Sequence, residues 1–282
     1  MTSEIIRETP VFILCGGLGT RLKEETEFIP KPMVPIGHHP ILWHVMHSYS
    51  LSGFRKFVLC LGFKAEVIKS YFLHYTSMNS DFTVDLKTND VTVHSIDHDQ
   101  DWEVTLAYTG ENVMTGARIA RAAEKFLGNA EHAAVTYGDG LTDVDLAGEF
   151  DFHLSHGKIG TVLGVNPPSR FGEIKLHHDV VTEFQEKPEF KEKWINGGFF
   201  FFERSFFFDY VSQEADCILE RNPLIRLADD RQLNMFKHKG FWACMDTQRD
   251  RDLLNALWQR GQAPWTKRHE TRTHHAIYSN TP

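Results

Sequence analysis

A glycine-rich segment near the N-terminus combines a flexible backbone with two cationic side chains. Gly16, Gly17 and Gly19 follow an apolar run and precede Arg21 and Lys31. Glycines let a backbone approach a polyphosphate and present N–H groups to it. Arginine offers a planar fork to phosphate oxygens, whereas lysine acts as a point charge. The pattern therefore predicts a triphosphate site, and a glycine-rich turn with solvated basic residues is the alternative.

Asp139 is a candidate metal ligand because of the element that precedes it. It lies between two glycines directly after the apolar run 133–137. Open α/β sheets place their ligands at the carboxyl ends of strands. Magnesium takes oxygen ligands, usually one or two carboxylates together with substrate phosphate. We therefore expect Asp139 to bind Mg²⁺, while an Asp-Gly turn is the alternative.

The elements that must position these residues alternate between strands and helices. The runs 11–15 and 56–61 are typical of strands buried on both faces, and helical spacing follows each, beginning at Pro40 after the first. A strand at 103–109, a helix at 116–126 and the strand at 133–137 continue the alternation. This order predicts an α/β fold with a doubly wound, Rossmann-like sheet.

Other segments depart from that alternation. Residues 81–96 suggest a hairpin that forms a small β appendage. The closely spaced strands 160–165, 173–176, 180–184 and 198–202 suggest that the sheet becomes mixed or antiparallel, and a last helix covers 248–259. The phenylalanines of 199–202 and 206–208 are expected in the core. We predict one domain over 1–265, with a nucleotide half at about 10–140, a sugar-phosphate half at about 141–265 and a polar tail at 266–282.

Composition favours a cytoplasmic enzyme that acts on small molecules. The 282 residues carry a formal net charge of -8, which argues against nucleic acid or an acidic membrane surface as the main partner. The four cysteines form no CxxC pair, as expected in a reducing compartment. The sequence shows neither a signal peptide nor the roughly 20 apolar residues of a membrane span.

Several segments together resemble a known family. GGLGTRL at 16–22 and KPM at 31–33 resemble the signature of the sugar nucleotidyltransferases. MTG at 114–116, NGGFF at 196–200 and MDT at 245–247 are similar to the glucose 1-phosphate cytidylyltransferase branch. The resemblance implies Mg²⁺-dependent transfer of a cytidylyl group from CTP to α-D-glucose 1-phosphate, which gives CDP-glucose and pyrophosphate. It also implies a homo-oligomer that serves nucleotide-sugar biosynthesis, for example for the lipopolysaccharide O-antigen.

The resemblance also implies roles for individual residues. Catalytic roles fall to Arg21, Lys31 and Asp139, and metal binding falls to Asp139 and Asp246. Nucleotide contacts fall to Gly16, Gly17, Gly19, Thr20, Arg21, Lys31, Thr115, Gly116 and Arg118. Sugar-phosphate contacts fall to Gly172, Glu186, Lys187, Asn196 and Gly197.

Four of these assignments have structural alternatives. Asp246 could instead cap the helix at 248–259, and Arg118 could be a surface residue. The Glu186–Lys187 dipeptide could be a surface ion pair, and 196–198 an ordinary loop turn.

The expected reaction needs no general base. A sugar phosphate oxygen is already ionised at neutral pH, so catalysis reduces to positioning and charge neutralisation by Mg²⁺, Arg21 and Lys31. Another sugar 1-phosphate or another triphosphate, dTTP or UTP, is the nearest alternative. A regulatory relative is expected to lack an Asp or Lys that this chain retains. A dinucleotide oxidoreductase is disfavoured, since no acidic residue closes a GxGxxG unit.

Overall fold

The protein is described by a computed structural model that covers residues 2–17, 19, 22, 26, 28–94, 100–166, 173–185 and 193–267. Five of the residues expected in the site lie outside this range: Thr20, Arg21, Gly172, Glu186 and Lys187. The expected polar tail lies outside it too, apart from its first two residues.

The described chain contains both strands and helices, which alternate mainly in its N-terminal half. In chain order the strands are β1 (Pro10–Cys15), β2 (Pro35–Ile36), β3 (His39–Pro40), β4 (Lys56–Leu61), β5 (Phe82–Asp85), β6 (Asp90–Val93), β7 (Glu103–Tyr108), β8 (His132–Tyr137), β9 (Gly140–Thr142), β10 (Gly160–Val165), β11 (Glu173–His177), β12 (Val180–Gln185), β13 (Ile195–Glu203), β14 (Leu233–His238) and β15 (Trp242–Cys244). The α-helices are α1 (Thr2–Glu8), α2 (Ile41–Leu51), α3 (Ala65–Leu73), α4 (Tyr75–Met78), α5 (Thr115–Phe126), α6 (Leu146–His156), α7 (Asn222–Asp229) and α8 (Gln248–Gln259).

A mixed sheet forms the centre of the fold. Within the described residues, seven strands pair in the order β14-β10-β13-β8-β1-β4-β7. β13 runs antiparallel to β8 and β10, while the other pairings are parallel. The predicted α/β fold with a mixed sheet is therefore confirmed. The expectation that residues 173–176 and 180–184 join this sheet is wrong, because β11 and β12 pair with each other in a separate two-stranded sheet.

Two hydrophobic clusters cover the two faces of this sheet. Along β1, Val11 and Ile13 join one cluster, whereas Phe12 and Leu14 join the other. Successive side chains of a strand point to opposite faces of the sheet. Because both faces are buried here, β1 is apolar at each of these positions. Helices α2 and α6 contribute to the first cluster and α5 to the second, as a doubly wound arrangement requires.

The structure differs from the sequence predictions at several positions. Helix α2 begins at Ile41, so Pro40 is its N-cap rather than its first residue. β13 begins at Ile195, because that residue already pairs with Val165 of β10. Phe208 is 51% exposed, so its expected core position is wrong, although Phe206 and Phe207 are buried.

Other expectations for the fold are met. β5 and β6 form the predicted hairpin, with Phe82 opposite Val93. The four cysteines are free thiols. Among the described residues, none of the helices has the length and apolar character needed to cross a membrane.

Candidate active site

Two aspartates far apart in sequence meet at one edge of the central sheet. Asp139 lies between β8 and β9, and Asp246 follows β15. β15 runs antiparallel to β9 with Cys244 opposite Gly140, and the Met245 N–H donates to the Asp139 carbonyl at 2.9 Å. The short ladder therefore brings both carboxylates to the carboxyl end of β8, where ligands are expected.

Lys31 lies between these two carboxylates. A 3₁₀ turn, Lys31–Met33, places its Nζ 2.5 Å from Asp139 Oδ2 and 2.7 Å from Asp246 Oδ1. The three side chains are only 12%, 21% and 23% exposed. Burial by itself lowers the pKa of Lys31, but Asp139 and Asp246 raise it more, so the net pKa is above its ordinary value. The ammonium group therefore stays charged.

The two aspartates fit a hard divalent cation. Oxygen atoms of Asp139 and Asp246 and the Cys244 sulfur all lie within 4.8 Å of one another. Burial, and then the two carboxylates, raise the pKa of Cys244 far above its ordinary value. A protonated thiol is a poor ligand for such a cation, whereas two carboxylates are a usual protein contribution.

Asp246 does not cap the helix that follows it. Thr247 is the N-cap of α8, and its Oγ accepts the Asp250 N–H at 3.3 Å. Asp250 in turn accepts the Thr247 N–H at 2.9 Å, which completes a capping box. The Asp246 carboxylate is directed to Lys31 instead.

The glycine loop forms one wall of a cavity of about 300 Å³. Gly17 is exposed and has open space where a side chain would begin, and Gly19 has φ +63°, a backbone conformation that favours glycine. Six predicted residues line the cavity: Gly17, Gly19, Lys31, Thr115, Asp139 and Asp246.

Arg118 lies beneath this loop and is buried, so a surface position is excluded. Its guanidinium donates to the carbonyls of Gly16 (2.9 Å), Gly110 (2.6 Å) and Glu111 (2.8 Å), as well as to Leu61 and Thr109. A Cβ atom at Gly16 would lie 2.3 Å from this guanidinium. Gly16 therefore makes room for an internal arginine, and Arg118 braces the loop from below.

The comparisons with known proteins agree with this geometry. Residues 11–258 match the family model described as Nucleotidyl transferase. The chain belongs to the nucleotidyl transferase family. It is 46% identical to the glucose-1-phosphate cytidylyltransferase of Salmonella typhimurium, over 90% of this chain and 97% of that protein. It is 38% identical to the probable glucose-1-phosphate cytidylyltransferase of Bacillus subtilis over the same shares. The resemblance seen in the sequence motifs is confirmed.

Solved structures share the fold of this nucleotidyl transferase. HddC from Yersinia pseudotuberculosis, in complex with GMP-PN, superposes with a TM-score of 0.61 at 24% identity over 89% of this chain and 99% of that chain. A putative glucose-1-phosphate thymidylyltransferase from Bacillus anthracis gives a TM-score of 0.61 at 18% identity over 88% and 94%. At these identities the likeness concerns the fold.

On the expected sugar side of the transferase, Asn196 and Gly197 lie in β13 rather than in a loop turn. Asn196 Oδ1 accepts the Gly198 N–H at 2.8 Å, and the Gly197 carbonyl accepts Trp242 Nε1–H at 2.7 Å. The register against β10 shifts here, an irregularity common beside active sites. Their contact with a sugar phosphate stays a prediction.

The structure adds two residues to the transferase site that sequence reasoning did not select. Tyr137 lines the cavity at the end of β8, two residues before Asp139. Its hydroxyl donates to Glu220, which also accepts from Thr115 at 2.8 Å. The position of Tyr137 at a strand end was a usable signal, whereas nothing in the sequence around Glu220 indicates the contact.

Proposed function

We propose that this chain transfers a cytidylyl group from CTP to α-D-glucose 1-phosphate and forms CDP-glucose and pyrophosphate. The observation that carries the reaction type is the cluster of Lys31, Asp139 and Asp246 at the cavity. The identity to glucose-1-phosphate cytidylyltransferases over nearly their whole length supports the choice of substrates.

The proposed reaction is a single in-line displacement. A phosphate oxygen of the sugar 1-phosphate forms a bond to the α-phosphorus of CTP, and the bond from that phosphorus to the bridging oxygen breaks. The bridging oxygen leaves with pyrophosphate. The nucleophile is already an anion, so the protein has to hold the reactants and neutralise charge.

The residues of the cavity divide this work. Asp139 and Asp246 would hold Mg²⁺, which supplies positive charge to the phosphates when bound. Lys31 adds an ammonium group at the same edge, and Gly17 and Gly19 leave the backbone open to the polyphosphate. Arg21, Glu186 and Lys187 retain their predicted phosphate and sugar roles.

A pyrophosphate-release assay tests the proposal. Purified protein is supplied with CTP, UTP, dTTP, ATP or GTP and a panel of sugar 1-phosphates, and reactions without protein serve as the control. We expect the highest kcat/KM with CTP and glucose 1-phosphate. Comparable turnover of dTTP and glucose 1-phosphate would indicate that the protein transfers a thymidylyl group instead. If no pair of substrates released pyrophosphate, the proposal would be rejected.

Two further properties belong to the same proposal. The free thiols of Cys15, Cys60, Cys217 and Cys244 support action in a reducing compartment such as the cytoplasm. We also expect a homo-oligomer, which sedimentation of the purified enzyme would detect as a mass above 32.5 kDa. A sedimenting mass equal to one chain would contradict it.

A further inference from the structure

Residues 212–221, here called the strap, lie against the beginning of helix α5. The N–H groups of Gly116 and Ala117 donate to the Cys217 carbonyl at 3.0 and 3.2 Å, and the Met114 N–H donates to Ala215 at 2.8 Å. Free N–H groups at a helix start commonly bind phosphate. Here the strap already pairs the N–H groups of Met114, Gly116 and Ala117, so this side of the α5 start serves as a protein contact.

The packing at Gly116 agrees with this assignment. A Cβ atom at this position would lie 2.7 Å from Cys217 Sγ and 3.0 Å from the Cys217 carbonyl oxygen. Such distances leave no room for a side chain. Gly116 therefore permits close approach of the strap, and Thr115 is the residue that α5 presents to the cavity.

Glu220 joins the end of the strap to two walls of the cavity. One carboxylate oxygen accepts the Thr115 hydroxyl at 2.8 Å, and the other accepts the Tyr137 hydroxyl. The Thr115 oxygen also accepts the Leu219 N–H at 2.9 Å, which fixes the orientation of its hydroxyl. Thr115 and Tyr137 both line the cavity, although they come from α5 and β8.

Tyr137 connects this wall to the expected sugar side. Its ring packs over Gly198, where a Cβ atom would lie 2.6 Å from the ring. Its hydroxyl donates to Glu220, an exposed residue of the strap. The exposed Glu220 carboxylate therefore orients the half-buried ring of Tyr137.

We propose that Glu220 is a positioning residue of the nucleotide site, which fixes Thr115 and Tyr137 as the walls against which base and ribose pack. This inference rests on the proposed function. Because the walls contact the nucleotide in ground state and transition state alike, their loosening should weaken binding more than chemistry. They also shape the base pocket, so base selectivity should fall as well.

The test compares Glu220→Ala and Glu220→Gln with Glu214→Ala, a matched exposed glutamate of the same strap. Loss of a charge-assisted hydrogen bond predicts a rise of about 10-fold in the KM for CTP with Glu220→Ala. Glu220→Gln retains one acceptor oxygen and should show a smaller rise. The KM for glucose 1-phosphate, kcat and Tm should stay near wild type, and Glu214→Ala should match wild type throughout.

A double-mutant cycle with Tyr137→Phe and Thr115→Val then tests whether Glu220 acts through these hydroxyls. If it does, the effects on the KM for CTP are less than additive, and CTP loses part of its advantage over UTP. Unchanged KM and base preference in Glu220→Ala would overturn the inference, as would equal rises in both KM values or a large fall in Tm. Failure of the wild type to use CTP would instead reject the proposed function, and the KM of the triphosphate it does use would then be tested.

Discussion

Lys31 and Arg118 are two cations that the sequence assigns to the same nucleotide, but they lie in different surroundings. Lys31 is at the cavity surface, and its partners are the carboxylates of Asp139 and Asp246. Arg118 is only 4% exposed, and its partners are mainly backbone carbonyls beneath the glycine loop. We expect Lys31 to exchange its carboxylate partners for a ligand, whereas the contacts of Arg118 fix the backbone of the glycine loop.

The depth at which each cation lies therefore decides whether it can meet a ligand or supports the backbone. A planar guanidinium with five donors can satisfy several carbonyls at once, which an ammonium cannot do in the same plane. Burial lowers the pKa of Arg118, yet arginine remains charged because its ordinary value is so high. The internal cation therefore suits arginine, and the exchangeable one suits lysine.

Replacement of the internal cation should give the largest effect. Arg118→Met fills similar space but leaves the Gly16, Gly110 and Glu111 carbonyls without this donor. The Gly16 carbonyl keeps the Phe63 N–H as a donor, and the carbonyls of Gly110 and Glu111 are only part-buried. Each loss should therefore lie at the low end of the roughly 1–3 kcal/mol for an unsatisfied buried group, and we expect a total loss of about 3 kcal/mol in the free energy of unfolding. Urea unfolding measures it.

Arg121→Met is the matched control on the same helix. Arg121 donates to the carbonyl of Gln213, which is exposed to water, and to that of Thr109. Its loss should cost about 1 kcal/mol. Equal losses for both variants would show that Arg118 has no special bracing role, and the contrast with Lys31 would disappear.

The two carboxylates that contact Lys31 should matter for catalysis rather than for folding. Asp139→Asn and Asp246→Asn should each leave the protein folded and lower kcat by about 100-fold or more, since each removes charge from the expected Mg²⁺ site. Steady-state kinetics at saturating Mg²⁺ give the measurement. Asp143→Asn is a nearby control that pairs with His238 and should keep kcat close to wild type. Full activity in either of the first two variants would remove that residue from the metal site.

Arg118 and Lys31 also show what could be predicted from the sequence. Apolar runs such as β1 and the alternation of elements predict the sheet, since burial on both faces leaves a periodic pattern. The meeting of Asp139 with Asp246 is set by the β9–β15 register, which no local pattern encodes. The depth of Arg118 is likewise a tertiary property, because its helix alone does not reveal which loops cover it.

We expect Lys31 and Lys187 to affect the KM of different substrates. Loss of a phosphate contact predicts a fall of about 10- to 150-fold in kcat/KM for either lysine changed to Met. Lys31→Met should raise the KM for CTP more than that for glucose 1-phosphate, because Lys31 shares the cavity with the glycine loop. Lys187→Met should do the reverse. Equal rises in the KM values for both substrates would contradict the division of the chain into a nucleotide half and a sugar-phosphate half. A loss in kcat alone would mean that the lysine acts mainly on charge that develops in the transition state.

The smallest effect is expected at the cap that follows Asp246. Thr247→Ala removes the hydroxyl that accepts the Asp250 N–H, which should cost about 1 kcal/mol in the free energy of unfolding. Thr247→Ser keeps that hydroxyl and should keep the stability. The kcat should fall far less than in Asp246→Asn. Asp250 of the cap accepts the Asp246 N–H at 3.1 Å, but β15 and Lys31 also hold this residue and remain in place. Urea unfolding and kinetics of the same preparations separate the two quantities. A kcat loss as large as that of Asp246→Asn would show that the cap positions the expected metal ligand. The carboxylates around Lys31 would then depend on contacts outside the cavity, as the glycine loop depends on Arg118.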